Sequence, residues 1–122
     1  MGTFAIKATI VNLTDPDRRL GTDLLVETGA TYSMLARSTL VSLGVRPRSR
    51  RQFRLGDGRT VVWEFGDAVF IVDGYQAPSP VIFGEEGCPP ILGAVTLEAM
   101  GVGVDPVNKQ LIPIEGLLAS PR

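Results

Sequence analysis

The chain has 122 residues, a length typical of one domain that buries roughly two-thirds of its unfolded surface. Twelve basic residues nearly balance thirteen acidic ones, so no overall field attracts nucleic acid or an anionic membrane. There is no histidine, which excludes Ser-His and Cys-His catalysis and the common zinc sites. An enzyme of ordinary type would therefore use carboxylates, tyrosine, lysine or cysteine for acid–base chemistry.

The composition also predicts where the protein resides. Hydrophobic residues make up 44% of the chain, yet no apolar run approaches the roughly 18 residues that span a membrane. The stretch from Met1 to Phe4 lacks the basic and apolar segments of a secretion signal. The single cysteine, Cys88, excludes an intramolecular disulfide and suits a reducing compartment. We therefore expect a cytoplasmic protein that binds neither nucleic acid nor membranes.

The first thirty residues predict a hairpin that ends in an acidic turn. In residues 3–13 apolar side chains alternate with more polar ones, which is typical of a half-buried strand. Asp15-Pro16-Asp17 predicts a turn, and residues 20–26 predict the returning strand. Three apolar residues then lead directly into Glu27-Thr28-Gly29-Ala30. A carboxylate held at the edge of a core is costly unless it is paired or used.

A helix, an arginine-rich loop and a second hairpin are predicted next. Residues 37–43 predict a short helix, entered from a short strand and ended by Gly44. Residues 45–51 predict a loop dense in arginine, which we interpret as solvated; a contact for an acidic substrate or nucleic acid is the alternative. Residues 52–66 predict a hairpin with a tight turn at Gly56-Asp57-Gly58.

The second half of the chain continues as short strands. Residues 67–72 predict a separate strand, and residues 75–80 predict a connection, because Pro78 and Pro80 argue against a central strand. Residues 81–83 predict a further short apolar strand.

The C-terminal part predicts a helix and a last hairpin. Ile91-Leu92-Gly93 leads into a predicted helix over residues 94–100, and residues 102–104 and 109–114 predict two paired strands. In total the sequence predicts a mostly β, all-β-class protein with one or two short helices. It forms a single domain over residues 1–122, with its core in 3–114 and a closed or nearly closed barrel.

Three features now stand in a fixed order along the chain. An apolar strand ends in the acid-Thr-Gly-Ala turn at 27–30, a glycine-bounded hairpin tip follows at 56–58, and Ile91-Leu92-Gly93 precedes a short helix. This order resembles the retropepsin-like aspartic proteases, and most closely their small prokaryotic single-domain members. Residues 97–101, 104–108 and 111–113 also look like the C-terminal run of that group. The resemblance covers residues 3–114 and implies a retropepsin-like closed β-barrel.

The resemblance implies an aspartic endopeptidase that acts as a homodimer, with one carboxylate from each subunit. Two close carboxylates share one proton; the charged one activates water and the protonated one donates to the scissile carbonyl. The implied catalytic residues are Glu27, Thr28 and Gly29, with no cofactor or metal. The hairpin would act as a flap over an extended peptide or unfolded protein. The implied substrate-binding residues are Leu25, Ala30, Leu55, Gly56, Asp57, Gly58 and Ile91.

Glu27 departs from the family pattern, which has aspartate there. Its extra methylene moves the carboxylate by on the order of 1 Å, and misplacement on that scale can cost roughly 10²-fold in rate. Three interpretations stay open: a change made to silence an active enzyme, a natural residue with residual or altered activity, or a natural mark of a silent peptide-binding or dimerisation module. A small β-barrel binding domain with an accidental acid-Thr-Gly is a further alternative.

Several other side chains allow both a structural and a functional interpretation. We expect Asp57 and Asp105 to form turns, and Cys88 to be an inert thiol because no histidine or second cysteine activates it. For four others both packing and a contact with substrate or the carboxylate stay open: Tyr32, Ser33, Trp63 and Phe65. The termini that would pair across a dimer are residues 3–8 and 111–118.

Overall fold

The computed structural model describes residues 3–120, which form nine β-strands and two short α-helices. The predicted all-β class is confirmed. The outermost positions of the predicted domain, Met1, Gly2, Pro121 and Arg122, lie outside the described residues. The helices are α1 (Arg37–Ser42) and α2 (Ala94–Met100). The strands are β1 (Phe4–Asn12), β2 (Arg19–Val26), β3 (Ser33–Ala36), β4 (Ser49–Arg54), β5 (Thr60–Val72), β6 (Tyr75–Gly84), β7 (Ile91–Leu92), β8 (Val102–Asp105) and β9 (Gln110–Pro113).

The main sheet closes into a ring of strands. Its order is β1-β2-β7-β3-β6-β5-β4, and β1 also pairs with β5. Most neighbours are antiparallel, but β2 runs parallel to β7 and β3 runs parallel to β6. The two-residue β7 therefore joins β2 to β3 and completes the ring, while β4 extends outward as a hairpin with β5.

One hydrophobic cluster unites the ring strands with both helices. The alternation predicted for β1 is present, since Ala8 and Ile10 are buried while Lys7 is exposed. Phe70 on β5 is fully buried, and burial of such a side chain stabilises the fold by about 1.5–3 kcal/mol. Leu40 of α1 and Leu97 of α2 are also buried in this cluster. The helices thus cover parts of the core that the strands leave open.

The predicted connection over residues 75–80 is wrong, because these residues belong to β6. They pair with β5, whereas β3 pairs only with residues 81–84. Pro78 and Pro80 therefore lie where the described structure gives β6 a single partner strand. Proline is tolerated at such an edge because its missing N–H can fall on the unpaired side.

Two further boundaries differ from the prediction. The arginine-rich segment is a loop only as far as Arg48, because β4 begins at Ser49. The strands predicted before and after Gly66 are one continuous strand, β5. A Cβ atom at Gly66 would lie 2.6 Å from the backbone oxygen of Arg46, so glycine here permits close approach of the chain rather than a break.

The helices within residues 3–120 are short, and neither has the length and apolar character needed to cross a membrane.

Candidate active site

The acidic turn lies directly after β2 and is held by main-chain hydrogen bonds. The Glu27 N–H donates to the Leu92 carbonyl oxygen at 3.0 Å, and the Ala30 N–H donates to the Glu27 carbonyl at 3.2 Å. The Glu27 side chain is half-buried, and its Oε1 accepts the Gly29 N–H at 3.0 Å. The turn thus presents one carboxylate whose position is set by β7 and by the turn itself.

The segment after the turn is fixed to the start of α2. The Ala94 N–H donates to the Ala30 carbonyl at 2.8 Å, and the Val95 N–H donates to the Thr31 carbonyl at 2.9 Å. These are N–H groups of the first helical turn, which have no partner within the helix. The turn and the helix therefore satisfy each other's backbone groups.

A chain of buried hydroxyl groups lies beneath the turn. Ser33 Oγ accepts the Gly93 N–H at 3.0 Å and lies 2.5 Å from Thr96 Oγ1, which lies 2.7 Å from Ser79 Oγ. All three hydroxyl residues are buried, Ser33 and Thr96 completely. Of the two interpretations left open for Ser33, the structure supports packing, because its hydroxyl bonds inward to α2.

Gly93 packs very closely against the backbone of Tyr32, which follows the acidic turn. A Cβ atom at this position would lie 2.5 Å from the carbonyl carbon of Tyr32 and 2.6 Å from its oxygen. Real Cβ atoms do not approach a backbone so closely, so only glycine fits here. The Ile91-Leu92-Gly93 stretch therefore holds the acidic turn from behind through contacts that a side chain would break.

The β4–β5 hairpin extends beyond the ring and ends in a tight turn. The Leu55 N–H donates to the Arg59 carbonyl at 2.7 Å, and Gly58 has a φ of +91°. Asp57 accepts hydrogen bonds from the Arg59 N–H at 3.0 Å and from its Nε at 2.7 Å. The backbone bond from Arg59, followed by the side-chain bond, lowers the pKa of Asp57. These contacts support the interpretation of Asp57 as a turn former.

A cleft of about 600 Å³ lies between the acidic turn and this hairpin. Six of the predicted site residues line it: Glu27, Gly29, Ala30, Leu55, Gly56 and Ile91. Four others do not: Leu25, Thr28, Asp57 and Gly58. The Leu25 N–H instead donates to Pro90, and Thr28 is exposed at the tip of the turn. Six of the predicted site residues thus line one cleft, and the other four lie outside its lining.

The cleft has further lining residues that no sequence pattern indicated. Met34 pairs in register with Ile82 on β6 and with Ile91 on β7, so three apolar side chains lie side by side on neighbouring strands. Strand register decided this, and no local pattern in the sequence gives register across distant strands. Other lining residues outside the implied substrate-binding set include Thr31 and three residues of the predicted hairpin, Gln52, Phe53 and Arg54.

The structure distinguishes the aromatic residues that line the cleft from the one that packs. Trp63 and Tyr32 line the cleft. Phe65 is buried, with the guanidinium groups of Arg48 and Arg51 each 4.4 Å from its ring centroid. Phe65 therefore packs rather than facing the cleft.

The surroundings of Cys88 and Asp105 agree with the structural roles expected for them. Burial raises the pKa of the Cys88 thiol, and the charge of Glu86 raises it further, which makes the thiol a weak nucleophile. Asp105 accepts hydrogen bonds from the Asn108 side chain and from the N–H groups of Asn108 and Val107. The bonds from Asn108 lower the pKa of Asp105, in agreement with a turn role.

The cleft has two charged lining residues, Glu27 on its floor and Arg54 on the hairpin. Arg54 Nη1 donates to the Gly58 carbonyl at 3.2 Å. Within residues 3–120 no three or more acidic or cysteine side chains gather as a metal ion would require. Glu27 provides the one carboxylate among the described residues that line the cleft.

Comparison of the sequence with protein-family models gives no match, and comparison with curated proteins gives none either.

Proposed function

We propose that this chain is a retropepsin-like aspartic endopeptidase that acts as a homodimer on extended peptides. The observation that carries the proposal is a carboxylate on an acid-Thr-Gly-Ala turn, facing a cleft that a glycine-tipped hairpin covers. The absence of histidine supports it, because this chemistry needs only carboxylates and water.

The homodimer follows from the number of carboxylates. Glu27 is the one acidic side chain among the cleft-lining residues that the structure describes. A water attack on a peptide bond needs one group to accept a proton and another to donate one. A second copy, with its own Glu27 turn beside the first, supplies the missing carboxylate. The pair then shares one proton, as the two carboxylates of aspartic proteases do.

Each part of the cleft has a role in this proposal. The ionised carboxylate takes a proton from water, which attacks the scissile carbonyl, and the protonated carboxylate donates to the carbonyl oxygen. The hairpin excludes water once the peptide has entered. The neighbouring side chains of Met34, Ile82 and Ile91 give the cleft an apolar floor, which suits apolar side chains of an extended peptide.

The single cysteine suits a cytoplasmic location.

The alternative is a peptide-binding or dimerisation module without catalysis. One observation favours it, since Oε1 of Glu27 is bonded to the Gly29 N–H of its own turn. One carboxylate oxygen of Glu27 is thus already hydrogen-bonded within its own turn. The same cleft and hairpin would then hold a peptide without cleaving it.

A peptidase assay on an unfolded protein substrate between acid and neutral pH tests the proposal. We expect cleavage by Glu27→Asp at a rate that exceeds the unchanged chain by roughly 10- to 100-fold, and no cleavage by Glu27→Gln. Equal rates for the unchanged chain and the Glu27→Asp variant would contradict the cost assigned to the extra methylene. A dimeric Glu27→Asp protein that binds peptide without turnover would support the binding module instead.

A further inference from the structure

One exposed arginine of the hairpin contacts three aromatic rings. Arg51 lies on β4, opposite Trp63 of β5. Its guanidinium carbon is 4.4 Å from the ring centroid of Phe65, 5.0 Å from that of Tyr32 and 6.0 Å from that of Phe53. A guanidinium over the faces of several rings is attracted by each of them.

The same side chain joins the hairpin to the wall of the cleft. Arg51 Nη2 donates a hydrogen bond to the Tyr32 hydroxyl oxygen at 3.0 Å. The Tyr32 ring also meets the ring of Phe53 edge to face, with centroids 5.8 Å apart and planes at 82°. Two side chains of β4 thus hold one residue that lies between the acidic turn and β3.

The two ends of this contact differ in how firmly the fold holds them. The backbone of Tyr32 is packed against Gly93, and its neighbours Thr31 and Ser33 bond to Val95 and Thr96 of α2. The hairpin tip at residues 56–60 is exposed and extends from the ring. Tyr32 is therefore a fixed anchor, and the hairpin is the part that can move.

Arg51 differs in its partners from three other arginines of the chain. Arg37, Arg48 and Arg59 form ion pairs with Glu64, Asp67 and Asp57. The described partners of Arg51 are instead a hydroxyl group and three rings. Because this contact contains no carboxylate, lowering the pH does not neutralise either partner in it. A planar guanidinium suits stacking and directed bonding at once, which an ammonium group does not.

We propose that Arg51 is a positioning residue that tethers the β4–β5 hairpin to Tyr32 and holds it over the Glu27 turn. The inference rests on the proposed function in one respect, that the hairpin covers substrate. The tether sets how often the cleft is open, and so it controls peptide affinity more than the chemical step.

The tether can be tested without catalysis. Trp63 is the sole tryptophan of the chain and lines the cleft from the hairpin, so quenching of its fluorescence by acrylamide reports opening. Hydrogen exchange of the amides in residues 52–58 reports the same motion independently. We expect Arg51→Ala to increase hairpin exchange about five- to tenfold and to increase quenching of Trp63. In a Glu27→Asp background it raises KM by a similar factor while kcat changes less.

Three matched variants separate the tether from a simple change of charge. Arg51→Lys keeps the charge and loses the planar stack, and Tyr32→Phe keeps the ring and loses the hydroxyl; both give intermediate effects. Arg50→Ala removes the adjacent exposed arginine of β4 and leaves hairpin exchange unchanged. Exchange in β1 stays constant throughout if the fold is intact.

The inference is overturned if Arg51→Ala leaves exchange and quenching within twofold of the unchanged chain, or if Arg50→Ala has an equal effect. Should Arg51→Ala fail to fold, Tyr32→Phe decides, since unchanged hairpin exchange in that variant also overturns the tether. If no variant cleaves peptides, the proposed protease activity fails while the exchange measurement still decides on the tether.

Discussion

The hydroxyl oxygens of Ser33 and Thr96 lie 2.5 Å apart, although the two residues are separated by 63 positions in the chain. Ser33 follows the acidic turn and Thr96 belongs to α2, so this buried contact fixes the turn relative to the helix. Ser79 on β6 completes the chain of hydroxyl groups. In the described part of the protein no buried side-chain nitrogen or oxygen lacks a partner, so each of these groups depends on the others.

Replacement of Thr96 by valine tests this dependence. The change keeps the shape of the side chain but leaves the hydroxyls of Ser33 and Ser79 without their shared partner. We expect a loss of about 1–3 kcal/mol in the free energy of unfolding, measured by denaturant titration. Thr60→Val, at an exposed position at the start of β5, serves as the control and changes stability by less than about 0.5 kcal/mol. A loss of equal size in both variants would contradict the role of the buried hydroxyls.

Replacement of Gly93 by alanine introduces a direct clash with backbone atoms. The new Cβ would lie 2.5 Å from the Tyr32 carbonyl carbon, which cannot move without displacing the acidic turn. We expect a destabilisation of about 1–3 kcal/mol or more, visible in the denaturation midpoint. The matched control is Gly21→Ala in β2, where no atom lies within 4 Å of the new Cβ. Equal stability of the two variants would show that the close crossing is not required.

The C-terminal tail offers a test of self-association under the proposed homodimer. Leu117 and Leu118 are 97% and 94% exposed, and residues 115–120 form no strand or helix. If a second copy covers them, Leu117→Ser with Leu118→Ser weakens association by at least about tenfold, since each buried leucine contributes roughly 1.5–3 kcal/mol. Sedimentation over a range of concentrations measures this. Val107→Ser, also 85% exposed but in the β8–β9 turn, is the control. An unchanged dimer constant in the leucine variant would exclude the tail from the interface.

The Cys88 thiol is expected to react slowly with alkylating reagents. Because its pKa is raised by burial and by the charge of Glu86, it holds less of the reactive thiolate at pH 7–8 than a free cysteine does. We expect alkylation by iodoacetamide to be at least about threefold slower in the folded chain than in denaturant. The difference between the two alkylation rates narrows as the pH rises through the raised pKa, because Cys88 is then a thiolate in both the folded and the denatured chain. Equal rates at pH 7.5 would contradict the effect of burial.

Local chemistry was enough to predict most elements of the fold. Alternating side chains predicted β1, and the glycines at 44 and 101 mark helix ends with φ values of +77° and +73°. The acidic turn and the hairpin tip were also located from local residues alone. They carry their own signals, because a turn needs particular residues whatever surrounds it.

The features that local chemistry missed or left open have a common physical cause, since each depended on a distant neighbour. Residues 75–80 form a strand because β5 pairs with them, although their prolines disfavour one locally. Ser33 faces inward because α2 supplies Thr96. The apolar cleft floor formed by Met34, Ile82 and Ile91 depends on register among three strands, and register is not encoded in any single strand.

The two-residue strand β7 has a consequence for how the protein is made. The acidic turn is synthesised early, but the groups that hold it, from Leu92 to Thr96, come much later in the chain. A nascent chain therefore carries the turn without its supports until residues 92–96 have left the ribosome. Because the ring closes through contacts so distant in sequence, we expect closure to be a late and slow step of folding. A chain ended at Gly87 would leave the turn unanchored, with fast amide exchange at residues 27–33.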